Sequence, residues 1–406
     1  MILSYFSLIK SNSRFFLFSI SGVFFSAPGQ TFLISLAIPT ICSSIGISPL
    51  TFAAIYSSST LSASIFLPFV GKLIDQWPIK KTIRLNTLGF FLSIMIFSLT
   101  NSPLFLFIAL FFMRLFGQGA LTLTATSLTI KQFTNYRGSA LSITQLGYPL
   151  SEFIFPGVLL YLLNLLGWRA SFLILAAMIL VFYYPLSILG IQHTQPIKKN
   201  SKSLDSKSLA DALKDVFFPF YVALSSIPPI MMTGALYFQV DIFIRNQWPL
   251  TTIAFALFFY ALFKFINTIL IGPIIDRFGV VFPLFFLTAC MGLATLLISI
   301  KAPPILGIIY YSLYGLGLGA SAATMSYLWG VLYGSDCIGE IKGTIAIIRN
   351  GATAIAPIGF SFIMNAMGVS LASIFYYCGI LILIMSVLPF IFYRLDDRLR
   401  PPGLNQ

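Results

Sequence analysis

Long apolar runs, each able to cross a bilayer, alternate along this chain with short polar breaks. A helix needs roughly 20 mostly apolar residues to cross the hydrocarbon core. Such runs lie at 15–41, 50–74, 84–101, 104–131, 138–165 and 168–190. A polar stretch, HTQPIKKNSKSLDSKSLADALKD, follows at 193–215. Six more runs lie at 217–241, 251–274, 280–300, 304–333, 342–366 and 371–393. The pattern predicts an all-α membrane protein of 12 transmembrane helices, numbered 1 to 12 in chain order, in two pseudo-symmetric six-helix bundles. The expected domains are an N-terminal bundle over 1–192, a cytoplasmic linker over 193–216 and a C-terminal bundle over 217–406. Lys10 and Arg14 before the first run loosely resemble a signal peptide. That run continues to about Ile41 with no A-x-A site, so it reads as the first spanning helix.

Composition makes the bilayer necessary. The chain is 58% hydrophobic and 9% charged, with mean hydropathy +0.94. A soluble domain carries about 25% charged residues and could not hide so much apolar surface. The net charge of +13 would suit nucleic acid if it were clustered, but its distribution follows the spans. With the N-terminus in the cytoplasm, only Arg169, Arg245 and Lys301 of the 24 lysines and arginines fall outside. Arg114, Lys264 and Arg349 fall within spans, and the rest, Lys342 among them, lie on the cytoplasmic side. This is the positive-inside pattern. It places both termini in the cytoplasm of a cell (inner or plasma) membrane, with lipid as the surrounding partner and no nucleic acid. Cys42, Cys290, Cys337 and Cys378 form no CxxC pair, and His193 is the only histidine, so neither metal nor cofactor is expected. No GxxxxGK[ST] occurs, which excludes ATP as the direct energy source.

The two sets of six also repeat in sequence. GQGA at 117–120 is matched by GLGA at 317–320, and GKLID at 71–75 by GPIID at 272–276. Arg137–Gly138 is matched by Lys342–Gly343, and Pro156 by Pro357. Parallel halves related by an axis along the membrane normal are an architecture of secondary transporters, with the substrate site near the midplane.

These residues carry a family resemblance over nearly the whole chain. The two GxxxD loops, the arginine and glycines of helix 4 and the six-plus-six count resemble the major facilitator superfamily. GKLIDQWPIKKTIR looks like its loop between helices 2 and 3, consensus G-x-x-x-D-R-x-G-R-R, with Gln76 and Pro78 as departures. The second copy, GPIIDRFGVVF, keeps Asp276, Arg277 and Gly279. RGSALSITQLGYPLSEFIFPG with GWRASF, and GQTFLISLAIPTI, look like the branch of monocarboxylate and oxalate/formate carriers and bacterial proteins near it. The resemblance implies that Asp75 and Asp276 act in a gate that closes the cytoplasmic side. Physically, each sits at a helix end where a carboxylate can meet helix N-termini. The plainer alternative is that these loop charges only anchor the interface.

Four ionisable residues fall deep in spans: Arg114, Glu152, Lys264 and Arg349. A charge there costs roughly 2.5–3.5 kcal/mol on insertion scales, so each needs a partner or a wet cavity. Arg114 opens a ladder with Gln118, Thr122 and Thr126, four residues apart on one helical face. Glu152 closes a similar ladder with Thr144 and Tyr148. Arg114 and Glu152 fall at similar depth on adjacent helices. They are either a structural ion pair or a proton-coupling pair, and helix-4 arginines of the resembled family are associated with proton transfer. Lys264, with Tyr260, Asn267 and Thr268 on its face, is a seat for an anionic substrate; the nearest acid, Asp241, lies near the outer end of helix 7. Monocarboxylate carriers place an acid and an arginine in this helix and a lysine in helix 1, where this chain has Gly29 and Gln30. The cation is therefore read as moved to helix 8. Gln30, with Ser26 and Thr31, is a candidate substrate ligand. Arg349, with Asn350 and Thr353, reads as part of the inner gate or as cavity lining. Asp241 and Arg245, with Tyr237, read as an outer gate or a surface ion pair. Pro28–Gly29 and Pro228–Pro229 predict breaks in helices 1 and 7, and Tyr310, Tyr311 and Tyr314 either line a cavity or pack.

The function these features imply is secondary active transport, not enzymatic catalysis. The leading expectation is a monomeric, proton-coupled symporter of a small organic anion. Proton-driven efflux of a drug- or siderophore-like compound is the alternative, although no acid lies in helix 1 to favour it. Uptake of an amino acid or other nutrient would suit a Glu/Lys pair. A sensor would bind ligand without flux.

Overall fold

Helices occupy the places of all twelve predicted spans among the described residues of the computed structural model, which are 2–133, 135–191, 208–249, 252–301, 303–334, 337–396 and 399. Eight of them are long and apolar enough on those grounds alone, or nine if a bent pair in helix 1 is one span. One of the eight, Arg137–Gly190, holds helices 5 and 6 together. The two meet at Gly167, whose φ of 73° and ψ of 172° suit a residue without Cβ. Helix 3 (Ile79–Ser98) and helix 11 (Ile338–Met367) fall outside the eight yet fill their predicted places. Helix 3 starts five residues earlier than its apolar run, directly after Pro78, which holds Trp77 extended. Residues 192–207 of the predicted linker lie outside the described residues. Its last part forms a short helix, Leu209–Lys214, capped by Ser208, whose hydroxyl accepts from Asp211 N while Asp211 accepts from Ser208 N.

Helix 1 breaks where the sequence predicts. Ser13–Phe24 gives way to a 3-10 turn at Ala27–Gly29, and Gln30 is extended (φ −92°, ψ 151°) before helix resumes at Thr31. The two parts differ in direction by 41°. Helix 7 does not break at its prolines: Phe218–Tyr237 runs through Pro228 and Pro229, and the interruption comes at Phe238. In membrane helices, neighbouring groups can re-satisfy carbonyls freed by proline. Here the carbonyls that lose their usual N–H donors are those of Leu224 and Ser225, four residues before each proline. Helix 4 holds a feature the sequence reading lacked. Its centre, Met113–Leu121, is π-helical, flanked by ordinary α-helix at Pro103–Phe112 and Thr122–Gln132.

The contacts divide the chain into two compact units. One comprises Met1–Thr134, Ile143–Ala212 and Tyr333–Asn350; the other Asn135–Ser142, Leu213–Leu332 and Gly351–Gln406. The first unit has a core around Phe90, Phe97, Trp168 and Phe172, with Phe97 edge-on to both Trp168 and Phe172. The second is built on Met291, Ala294, Tyr310, Tyr311 and Tyr314, all fully buried. Large apolar side chains such as Phe69, Phe153 and Phe255 stay exposed, as lipid-facing positions should.

Small residues set the closest approaches between helices. A Cβ on Gly315 would lie 2.3 Å from the Tyr260 carbonyl oxygen, so helix 10 (Ile305–Tyr333) touches helix 8 (Thr252–Phe278) backbone to backbone. Gly315→Ala is expected to lower stability by about 1–3 kcal/mol, the usual result of overpacking. Gly157 has nothing within 4 Å of its Cβ position. Gly157→Ala should leave stability unchanged or raise it by up to about 1 kcal/mol through helix propensity. Thermal unfolding of the two variants in detergent checks the contrast.

Candidate functional site

Arg114 sits on the π-helical turn of helix 4 and is 6% exposed. Its Nε donates to Thr60 Oγ1 at 3.0 Å, and its Nη1 donates to Gly29 O at 3.0 Å and Thr31 Oγ1 at 3.3 Å. The guanidinium also lies 4.9 Å from the ring centre of Tyr56, whose hydroxyl donates to Thr31 Oγ1 at 2.8 Å. These hydrogen bonds go to neutral oxygens rather than to Glu152, the partner suggested by depth. The reason is local. The break in helix 1 frees carbonyls, and a cation with a forked set of donors satisfies them. Helix 1 comes close enough because Gly29 has no side chain: a Cβ there would lie 2.6 Å from Met113 O. Helix 2 (Pro49–Gln76) supplies Tyr56, Thr60 and Ser64 at four-residue spacing on one face. That polar stripe within an apolar span was a readable signal that the sequence analysis passed over.

The first unit brings two more cations to this region. Lys342, on the first turns of helix 11, donates to Thr126 Oγ1 at 2.5 Å and has Arg349 as an electrostatic neighbour. The charge bias counts Lys342 on the cytoplasmic side; the structure lays its side chain, on the first turns of helix 11, against the helix-4 ladder. Its spacing of seven from Arg349 puts both on one helix face, which is how it could have been found. Arg349 is exposed along its surface, and among the described residues it makes no hydrogen bond or ion pair. The Tyr148 hydroxyl is within electrostatic reach of both Arg114 and Arg349. Asn350 donates to Ser64 Oγ at 2.8 Å. Glu152 lies one turn beyond Tyr148 and is half-buried. Gln30 is buried and donates to Ser26 Oγ at 3.2 Å.

Asp75 and Asp276 each cap a helix N-terminus. In the first unit Asp75 accepts from Gly339 N at 3.2 Å, Glu340 N at 3.1 Å and Lys131 Nζ at 2.7 Å. In the second, Asp276 accepts from Gly138 N at 2.8 Å, Ser139 N at 2.9 Å and Ser139 Oγ at 2.5 Å. The numbers differ by 201 throughout: 75 and 276, 138 and 339, 139 and 340. Packing follows the same register. A Cβ on Gly71 would strike Gly339 O, and one on Gly272 would strike Ser139 Cα. Gly343 packs on Leu67 O, and the Ser142 hydroxyl donates to Thr268 O. The repeat is thus written in contacts. It also corrects one match: Gly138 corresponds to Gly339, not to Gly343, because Gly339 is the residue whose N–H meets the aspartate. One element is not repeated. Lys131 neutralises Asp75, whereas position 332 is leucine and Asp276 receives a hydroxyl instead.

In the second unit Lys264 lies 5.5 Å from the ring centre of Tyr260, on helix 8. Asn267, on the same face, is 5% exposed and donates to Leu316 O at 2.5 Å, so it joins helices 8 and 10. Thr268 donates to Lys264 O and Gly319 O. Arg245 donates to Ile298 O, and the side chains of Asp241 and Tyr237 lie outside the described residues. Tyr310, Tyr311 and Tyr314 pack. Tyr311 donates to Gln239 Oε1 at 3.0 Å, and Tyr314 pairs with Thr295.

Twelve apolar helices, a cation held at a break in one of them, and two capped helix ends define a multi-pass membrane transporter rather than an enzyme. The sequence model of the Major Facilitator Superfamily matches residues 20–357, and the chain belongs to that family. A crystal structure of the human organic anion transporter MFSD10 (TETRAN) is similar, with a TM-score of 0.72 and 15% sequence identity over 94% of this chain and 99% of that one. At that identity the likeness is one of fold. No curated protein matches the chain significantly.

Proposed function

We propose that this chain carries a small organic anion, of monocarboxylate-like size, together with a proton across a cell membrane. The halves 1–192 and 217–406 alternate access, and both termini are cytoplasmic. One observation carries the reading. Among the described residues Arg114 keeps Nη2 without a hydrogen bond and Arg349 makes none, and the Tyr148 hydroxyl lies within electrostatic range of both. Two cations and a hydroxyl donor at membrane depth form a seat for a carboxylate. Gln30 adds an amide beside Arg114, while the second unit offers Lys264 with Tyr260 and Asn267. Glu152, one turn from Tyr148, carries the proton. Asp75, Asp276, Arg349 and the pair Asp241–Arg245 gate the two sides. The solved organic anion transporter has this fold, and the carboxylate-carrier resemblance points the same way.

The test is uptake of labelled monocarboxylates into proteoliposomes under an inward proton gradient. Arg349→Ala and Lys264→Ala are each expected to lower uptake at least tenfold. Glu152→Gln should abolish gradient-driven accumulation while sparing exchange of internal for external anion. Wild-type accumulation by Glu152→Gln would remove that residue from the coupling. Failure of the wild-type protein to move any carboxylate would end the anion reading.

A further inference from the structure

A cavity outside the transport machinery lies in the first unit, where helices 1, 4 and 6 end. Its volume is about 270 Å³, and Ser11, Asn12, Ser13, Arg14, Gln132 and Gly190 are on its wall. Among the described residues the lining includes no carboxylate and one guanidinium. Arg14 is exposed, and among the described residues it makes no hydrogen bond or ion pair; Lys10 stands one turn before it, also exposed. Gly190 fixes the rim. A Cβ there would lie 2.6 Å from Arg14 O, so helix 6 rests directly on helix 1 at that residue. The charge bias puts these three helix ends on the cytoplasmic surface of the bilayer.

A second feature places the cavity at the lipid headgroups. A helix, Ile2–Ser11, of sequence ILSYFSLIKS, precedes helix 1. A mostly apolar helix closed by a lysine and set just before the first span suits the interface plane. It runs into the cavity wall through Ser11 and Asn12, so the cavity opens beside the plane in which lipid phosphates lie. Basic, acid-free pockets between helix ends on the cytoplasmic side suit anionic headgroups.

We propose that this cavity holds the phosphodiester headgroup of an anionic phospholipid from the cytoplasmic leaflet. Arg14 binds the phosphate, Gln132 and the Ser11–Ser13 turn hydrogen-bond the headgroup alcohol, and the acyl chains stay in the bilayer. Bound there, the lipid would tie the ends of helices 1, 4 and 6 together.

Native mass spectrometry of the purified full chain, with matched phosphatidylglycerol or phosphatidylcholine added, tests this. Wild-type protein should retain phosphatidylglycerol at least threefold better. Arg14→Ala and, separately, Gln132→Leu should lose that preference. Lys72→Ala, which removes an exposed charge from the same face of the membrane, should keep it. Two results would overturn the assignment: equal loss in Lys72→Ala, which means diffuse electrostatics, or a preserved preference in both cavity variants. Inorganic phosphate is the third arm. If phosphate alone gives the thermal stabilisation seen with phosphatidylglycerol, the occupant is a free anion and the lipid assignment fails.

Discussion

Arg114→Ala is expected to reduce transport by roughly 10–100-fold and to destabilise the protein by about 2–4 kcal/mol. The stability loss follows from three hydrogen bonds made by one buried cation, at about 1.5–3 kcal/mol for each bond to a charged group, offset by relief of its burial. The transport loss has a second cause. On the proposed reading, removing one charge-assisted contact to the cargo weakens binding by a similar energy, and every 1.4 kcal/mol is tenfold. Arg114→Lys separates the two. A lysine keeps the charge but lacks the planar fork that reaches Thr60 and Gly29 at once. It should recover part of the stability and little of the transport. Thermal unfolding and proteoliposome uptake of both variants decide the matter. Normal uptake by Arg114→Ala would show that the cation only braces helix 1.

Helix number and placement were readable because a bilayer asks for long apolar runs, and such runs are visible without any partner. The break in helix 1 was readable for the same local reason, since Pro28 and Gly29 interrupt a ladder from within. Pro228 and Pro229 carried the same signal and misled, because a membrane helix runs on through proline where neighbouring groups satisfy the freed carbonyls. The π-helical turn around Arg114 left no trace in residue spacing. The inward turn of Lys342 was not readable because a count of basic residues on each side of the membrane does not say which side chains turn inward. The repeat was visible as matched words, but its register was not. Only the hydrogen bonds of Asp75 and Asp276 show that Gly138 pairs with Gly339 at an offset of 201 and that Lys342–Gly343 was the wrong partner for Arg137–Gly138, while the GQGA and GLGA words keep an offset of 200.

The unequal repeat makes the second large prediction. Asp75 holds two backbone N–H groups at the start of helix 11 and the ammonium of Lys131, with side chains 8% and 9% exposed. Asp75→Asn leaves Lys131 with little solvent and no carboxylate, and breaking a buried pair from one side costs about 3–5 kcal/mol. Asp276→Asn strands no cation. The amide oxygen can still accept from Gly138 or Ser139, so its cost should be nearer 1–2 kcal/mol, the loss of charge assistance in its hydrogen bonds. The same aspartate in the same repeat should therefore differ between copies by about 2 kcal/mol. The sign can be checked without transport. Cys337 lies just before helix 11, and freeing that helix should raise its labelling by an impermeant maleimide in inside-out vesicles. Labelling should rise several-fold in Asp75→Asn and little in Asp276→Asn. Adding Lys131→Met to Asp75→Asn removes the stranded ammonium and should recover most of the lost stability. It should not recover the slow labelling, because the start of helix 11 still lacks its carboxylate cap. Equal effects in the two aspartate variants would mean that Lys131 contributes nothing to the latch and that backbone capping alone holds helix 11.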